Sequence, residues 1–153
     1  MDNFKHVVDT YGHLNGSQAL KEVAATIKRC LHKPCFEVAY GGDEFIVVLP
    51  GFDKQQATRK LEQIRERMRQ TTYLARARLQ VHLAASFGVA TFPEDCDSRE
   101  GLLALADRAM FRIKQTGKGA IGLSPPLSKV ERGVRGPGKA PATSLPSAGR
   151  TEN

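Results

Sequence analysis

Two glycines followed by two acids, Gly41, Gly42, Asp43 and Glu44, interrupt the stretch YGGDEFIVVLP at residues 40–50. Taken alone, a glycine turn capped by acids keeps a hairpin end in water. A second acid changes the reading. Asp2 stands with Phe4 and Lys5 at the opening of the chain, and the order of elements set out below brings it to the same sheet edge as Asp43 and Glu44. Carboxylates clustered without histidine or cysteine are oxygen donors of the kind that suit Mg²⁺ or Mn²⁺. Gly41 and Gly42 offer bare backbone to a phosphate or a base, as residues with a Cβ cannot. Other reactive side chains give weaker patterns. His6, His13, His32 and His82 form no HExxH pair, and Cys30, Cys35 and Cys96 are odd in number and lack CxxC spacing, so reduced thiols are expected.

The elements that would position these groups follow from periodicity. Leu20, Val23, Ala24, Ile27 and Leu31 form one apolar stripe, which predicts a helix starting near Ser17 with Ser17 as its cap. Residues 36–40 and 44–49 read as two strands of a hairpin around the glycine pair. Ala57, Leu61, Ile64 and Met68 mark a second helix over residues 53 to about 71, with a strongly basic outer face. Residues 79–92 read as a strand, with Gly88 as a bulge or a point of close approach. Leu102, Leu103, Ala106, Met110 and Ile113 give a third helix halted by Gly117 and Gly119, and a short closing strand is expected near residues 120–123. The order α, β-hairpin, α, β, α, β lacks one leading strand to complete an α+β, ferredoxin-like βαββαβ sandwich. That strand would end at MDNF, so it is expected to be largely truncated here.

Of 153 residues, 41% are hydrophobic and 25% charged, which fits one soluble domain. Residues 124–153 are rich in Pro, Gly and Ser and are expected to be a disordered basic tail, leaving residues 1–123 as the folded unit. The tail holds +3 of the net charge of +7. The remaining +4 is spread without a basic stripe interleaved with aromatics, so a solvated basic face is expected rather than nucleic-acid binding. No run approaches the roughly 18 apolar residues of a membrane span, and no secretory signal is evident, so a cytoplasmic location is expected.

Four segments, MDNFKHVVDTYGHLNGSQAL, YGGDEFIVVLP, ASFGVATFP and ADRAMFRIKQTGKG, resemble in order and spacing the GGDEF family of cyclic dinucleotide synthases, over about residues 1–122. The resemblance implies a fold like the adenylyl cyclase catalytic core and a metal-dependent nucleotidyltransferase acting as a transient homodimer. Two facing half-sites, each with one nucleoside triphosphate and two Mg²⁺ or Mn²⁺ ions, would join two GTP into cyclic di-GMP with release of pyrophosphate. An upstream sensory or receiver domain usually controls such dimers.

Position by position, the resemblance implies that Met1 supplies a backbone carbonyl and Asp43 a carboxylate to the metal. Glu44 would be a ligand to the second ion or an acid near the 3′-hydroxyl, while Asp2 lies near these ligands. The N–H groups of Asn3 and Phe4, with Lys5, match the turn that cradles the β- and γ-phosphates. Lys114 matches a second phosphate-binding lysine, and Lys118 stands where an arginine is common. Gly41 and Gly42 would border the nucleotide, as would His13.

Departures from the family pattern fall in three places. In D-x-D-x-F-K the first metal aspartate corresponds to the position before Met1, so the first-ion site of the chain as written is expected to be weak. The asparagine and aspartate that read guanine are here Val8 and Ser17. A carboxylate accepts from guanine N1–H and the 2-amino group, whereas serine donates or accepts, which relaxes the choice of purine. Ser17 thus resembles the hybrid promiscuous subgroup, which makes cyclic GMP-AMP as well as cyclic di-GMP and would take ATP with GTP. Finally, the R-x-x-D window of product inhibition is His32, Lys33, Pro34 and Cys35, and Ala39 replaces a frequent arginine, so feedback through this site is not expected. The alternative reading is a degenerate GGDEF module that binds nucleotide or a partner without turnover.

Overall fold

A helix opens the chain: α1 spans Phe4–Arg29. Its spacing of Phe4, Val7, Val8 and Tyr11 is amphipathic in its own right, but Gly12, at φ 80° and ψ 164°, breaks the helix into two limbs. The expected start near Ser17 is therefore corrected. Ser17 lies within the second limb, exposed, and its hydroxyl makes no hydrogen bond among the described residues. The glycine break had masked the first limb, because the apolar stripe changes phase across it.

The computed structural model describes residues 1–126. Residues 127–153, most of the expected tail, lie outside them. The hairpin forms as expected: β1 (Phe36–Gly41) pairs antiparallel with β2 (Glu44–Val48), with an irregularity between Ala39 and Gly41. Next comes α2 (Lys54–Arg69), whose start is set by a capping box in which Asp53 accepts from Gln56 N–H at 2.7 Å and Gln56 Oε1 accepts from Asp53 N–H at 2.9 Å. Then follow β3 (Phe87–Val89), α3 (Arg99–Thr116) capped by Ser98, and β4 (Ile121–Leu123), which runs parallel to β3.

The strand expected over residues 79–92 is shorter than its pattern. Val81, Leu83 and Ala85 are buried in alternation with exposed His82 and Ala84, yet only Phe87 to Val89 joins a ladder. Among the described residues the hairpin and the β3/β4 pair form two separate two-stranded sheets. Met1 and Asp2 bridge them: Met1 N donates to Asp43 O at 2.8 Å and Asp2 N to Ala84 O at 2.9 Å.

The core lies where α1 and α2 cover the inner face. Val7, Val23 and Ile27 of α1 meet Ala57, Leu61, Ile64 and Met68 of α2, together with Tyr73, Leu74, Val81, Leu83 and Val89. Phe45, Val47 and Leu49 pack on this cluster from the hairpin's inner face, while Phe36, Val38 and Tyr40 stand exposed on the other. On the far side α3 packs against β3 and β4. Gly88 makes that approach feasible, since a Cβ there would stand 1.9 Å from Ala106 O. Gly88→Ala is accordingly expected to destabilise the fold by about 3 kcal/mol or more, because the obstacle is backbone and cannot rotate away; thermal unfolding measures it.

Ser124, at the start of the expected tail, is buried. Its hydroxyl donates to Asp95, and its carbonyl accepts from Lys54 Nζ at 3.0 Å. Asp95 also accepts from Thr91 N–H at 2.8 Å and forms a close ion pair with Lys54. This knot fastens the start of α2 to the loop before α3 and to the end of β4. Among the described residues, no helix is long and apolar enough to cross a membrane.

Candidate active site

The hairpin turn delivers the acids. Gly41 pairs with Glu44, and Gly42 adopts φ +53°, a left-handed conformation that a residue with a Cβ takes at a cost. No atom lies within 4 Å of where a Cβ would sit on either glycine, so the turn presents open backbone. Asp43 is half-buried and Glu44 exposed. The Met1 ammonium lies 3.1 Å from Asp43 Oδ2, which brings the opening of the chain onto the hairpin acids as the sequence suggested.

Asn3 precedes the helix in the left-handed region (φ 54°, ψ 24°), and Phe4 begins α1. This succession turns adjacent N–H groups toward one point, forming a concave anion-binding nest at the positive end of a helix. The N–H groups of Asn3 and Phe4 make no hydrogen bond to another described residue. Lys5 is exposed and pairs with Asp9 one turn on, at 2.7 Å. Lys118 Nζ donates to Asn3 Oδ1 at 2.8 Å, so the turn between α3 and β4 closes over the nest's rim. Lys114 is half-buried on α3, without a hydrogen bond or ion pair among the described residues. Val8 packs over Gly16: a Cβ on that glycine would come 2.9 Å from Val8 Cγ2 and 3.5 Å from Phe4 Cζ. Across the Gly12 break, therefore, Phe4 and Val8 lie beside the residue preceding Ser17. His13 is exposed just past the break.

The structure thus joins Met1 to Asp43, Asn3 to Lys118, and Val8 to the Ser17 neighbourhood. Asp2 departs from the expectation of an acid facing the same edge, because it is buried and turned toward Ser86 and Gly119. Asp9 was missed in the sequence, although its i,i+4 spacing from Lys5 is a readable signal. Ser86 carried no local signal. Among the described residues no group of three or more His, Cys, Asp or Glu side chains is arranged to hold a metal. Asp43 and Glu44 still suit Mg²⁺, which is commonly held by one or two carboxylates together with substrate phosphates.

An α+β domain with helices on both sides of short sheets, and a glycine hairpin carrying paired acids beside an N–H nest, has the architecture of the cyclase catalytic core. The chain belongs to the GGDEF family: the family described as "Diguanylate cyclase, GGDEF domain" matches residues 1–120. Diguanylate cyclase A of Treponema denticola is 33% identical over 124 residues, covering 81% of this chain and 33% of the relative. The response regulator PleD of Caulobacter vibrioides is 33% identical over 125 residues, covering 79% and 27%. The chain therefore spans about a third or less of these relatives. Among solved structures, the GGDEF domain of PA1120 (YfiN or TpbB) from Pseudomonas aeruginosa superposes with a TM-score of 0.77 at 29% identity, over 82% of this chain and 78% of that one. The GGDEF domain of DgcB from Caulobacter crescentus, in complex with c-di-GMP, gives 0.69 at 29% identity, over 80% and 72%.

Proposed function

We propose that the domain condenses two nucleoside triphosphates into a 3′,5′-cyclic dinucleotide, cyclic di-GMP and cyclic GMP-AMP, for cytoplasmic second-messenger signalling under an upstream regulatory domain. The carrying observation is the contact of Met1 with Asp43, which sets the paired acids against the N–H nest. The N–H groups of Asn3 and Phe4 receive the β- and γ-phosphates, while Lys5, Lys114 and Lys118 offset the charge of departing pyrophosphate. Asp43 and Glu44 would hold divalent Mg²⁺ or Mn²⁺, which when bound would polarise the α-phosphoryl group and lower the pKa of the attacking 3′-hydroxyl. The acids and nest form an open shelf rather than a cleft, which favours a reaction completed between two copies, each presenting one nucleotide. To test this, the full chain is incubated with GTP, ATP and Mg²⁺ or Mn²⁺ and the products are separated; absence of any cyclic dinucleotide would refute the assignment.

Purine choice rests on Val8 and Ser17. Val8 offers only methyl groups, and the free Ser17 hydroxyl donates or accepts, so both guanine and adenine are tolerated. Ser17→Asp restores a carboxylate that accepts from guanine and opposes adenine. It is expected to lower the share of adenine-containing product about tenfold in an equimolar GTP and ATP mixture, read by chromatography.

A second reading has its own observation. With no three-carboxylate cluster among the described residues, a nucleotide-binding module without turnover would also use this shelf. It predicts triphosphate binding with little dependence on divalent ions.

A further inference from the structure

Asp2 is the most heavily engaged acid near the shelf. At 8% exposure it is buried, and a carboxylate taken out of water is costly unless its oxygens are satisfied. Ser86 Oγ donates to Asp2, lying 2.9 Å from Oδ1 and 3.1 Å from Oδ2, and Gly119 N–H donates to Oδ2 at 2.9 Å. Gly119 N–H also reaches Ser86 Oγ at 3.2 Å, so the three groups close a small ring. The Asp2 backbone N–H adds a bond to Ala84 O at 2.9 Å.

These partners come from distant parts of the chain. Ser86 immediately precedes β3, and Gly119, at φ +66°, follows Lys118 in the turn between α3 and β4. Both carboxylate oxygens are committed to a hydroxyl and an amide rather than aimed at the Asp43 side. Three successive residues are thereby fixed to three elements: Met1 to the hairpin, Asp2 to β3 and the α3/β4 turn, and Asn3 to Lys118. Beyond these contacts the Asn3 carbonyl accepts from His6 N–H at 3.0 Å, while the Asn3 side chain makes no capping bond to the helix.

We propose that Asp2, supported by Ser86, is a positioning residue that fixes the Asn3 and Phe4 N–H groups and so confers preference for a nucleoside triphosphate over a monophosphate, while touching neither nucleotide nor metal. The inference rests on the phosphate-cradle reading above and assigns to a buried ring the discrimination made at the open shelf. A hydrogen-bonded N–H pair recognises phosphate only when both groups converge, and a shift of about 1 Å is enough to lose much of that convergence.

The test titrates the full chain with GTP and with GMP in metal-free buffer and again with Mg²⁺, for wild type, Asp2→Ala, Asp2→Asn and Ser86→Ala. The wild type is expected to favour GTP without metal. Asp2→Ala should lower the GTP-to-GMP affinity ratio about tenfold with GMP affinity unchanged, and Ser86→Ala should lower it about threefold. Asp2→Asn should recover part of the ratio, because its amide can still accept from Gly119 N–H and donate to the Ser86 hydroxyl. If Asp2→Ala does not fold, the other two variants report the same ratio.

Three results would overturn the proposal. A ratio unchanged in metal-free buffer, with only the Mg²⁺ enhancement lost, would make Asp2 a metal ligand. GTP and GMP affinities falling together, or a lower Tm with an unchanged ratio, would make the ring merely structural. A wild type that does not favour GTP over GMP would remove the phosphate-cradle reading itself, and this inference with it.

Discussion

Asp43→Asn is expected to lower cyclic dinucleotide formation by about 10³-fold or more, equivalent to about 4 kcal/mol of transition-state stabilisation. The substitution removes one charge and little volume. Asp43 is half-buried, and the Gly41 to Glu44 pairing that closes the turn is made by the backbone, so the hairpin should keep its shape. The Met1 ammonium can still find the amide oxygen of the substituted side chain and the unchanged backbone carbonyl. What is lost is the anionic oxygen available to a divalent ion beside the triphosphate. Product formation from GTP, measured beside thermal unfolding, separates the two effects: an active variant would move the metal site elsewhere, and an unfolded one would show the carboxylate to be structural.

The largest expected effect on stability lies at the knot around Asp95. Lys54→Met leaves a buried carboxylate without its cation and is expected to destabilise the fold by about 3 kcal/mol, or roughly 10 °C in Tm. Burial alone would raise the Asp95 carboxyl, but hydrogen bonds from Lys54, Ser124 and Thr91 N–H outweigh it and hold the group below the usual carboxylate range. A carboxylate whose pKa is lower in the folded state stabilises the fold above its unfolded pKa, about 4, and this contribution is lost as pH falls through the folded value. Acid unfolding of the wild type should therefore steepen below about pH 4, and Lys54→Met should flatten that dependence. An equal acid slope in both proteins would remove the ion pair from the account.

The hairpin and α2 were legible because their signals are local: alternation around Gly41 and Gly42, and a stripe of Ala57, Leu61, Ile64 and Met68 behind the cap at Asp53. Gly88 was legible as a close-approach point, though its partner was not. The first limb of α1 was hidden by the break at Gly12, and the strand over residues 79–92 was overread because alternate burial persists where pairing shrinks to a single bridge between Tyr73 and Val81. At the site, spacing and resemblance name the acids, the Asn3 and Phe4 turn and the lysines, and the structure joins Met1 to Asp43 and Asn3 to Lys118. The ring around Asp2 does not, because its partners lie 84 and 117 residues away and serine and glycine carry no pattern of their own.

The break at Gly12 divides one long helix into two limbs of different direction. The limb before it begins at the nest, is fastened through Asp2 to the β3 side and buries Val7 in the core, and the limb after it carries Ser17 and buries Val23 and Ile27 in the same core. On the proposed reading the phosphate nest and Val8 lie before the glycine and Ser17 after it, with Phe4 and Val8 packed across the break against Gly16. Ser17 and Asp2 share no hydrogen-bond partner among the described residues, so substitutions at the two should combine additively.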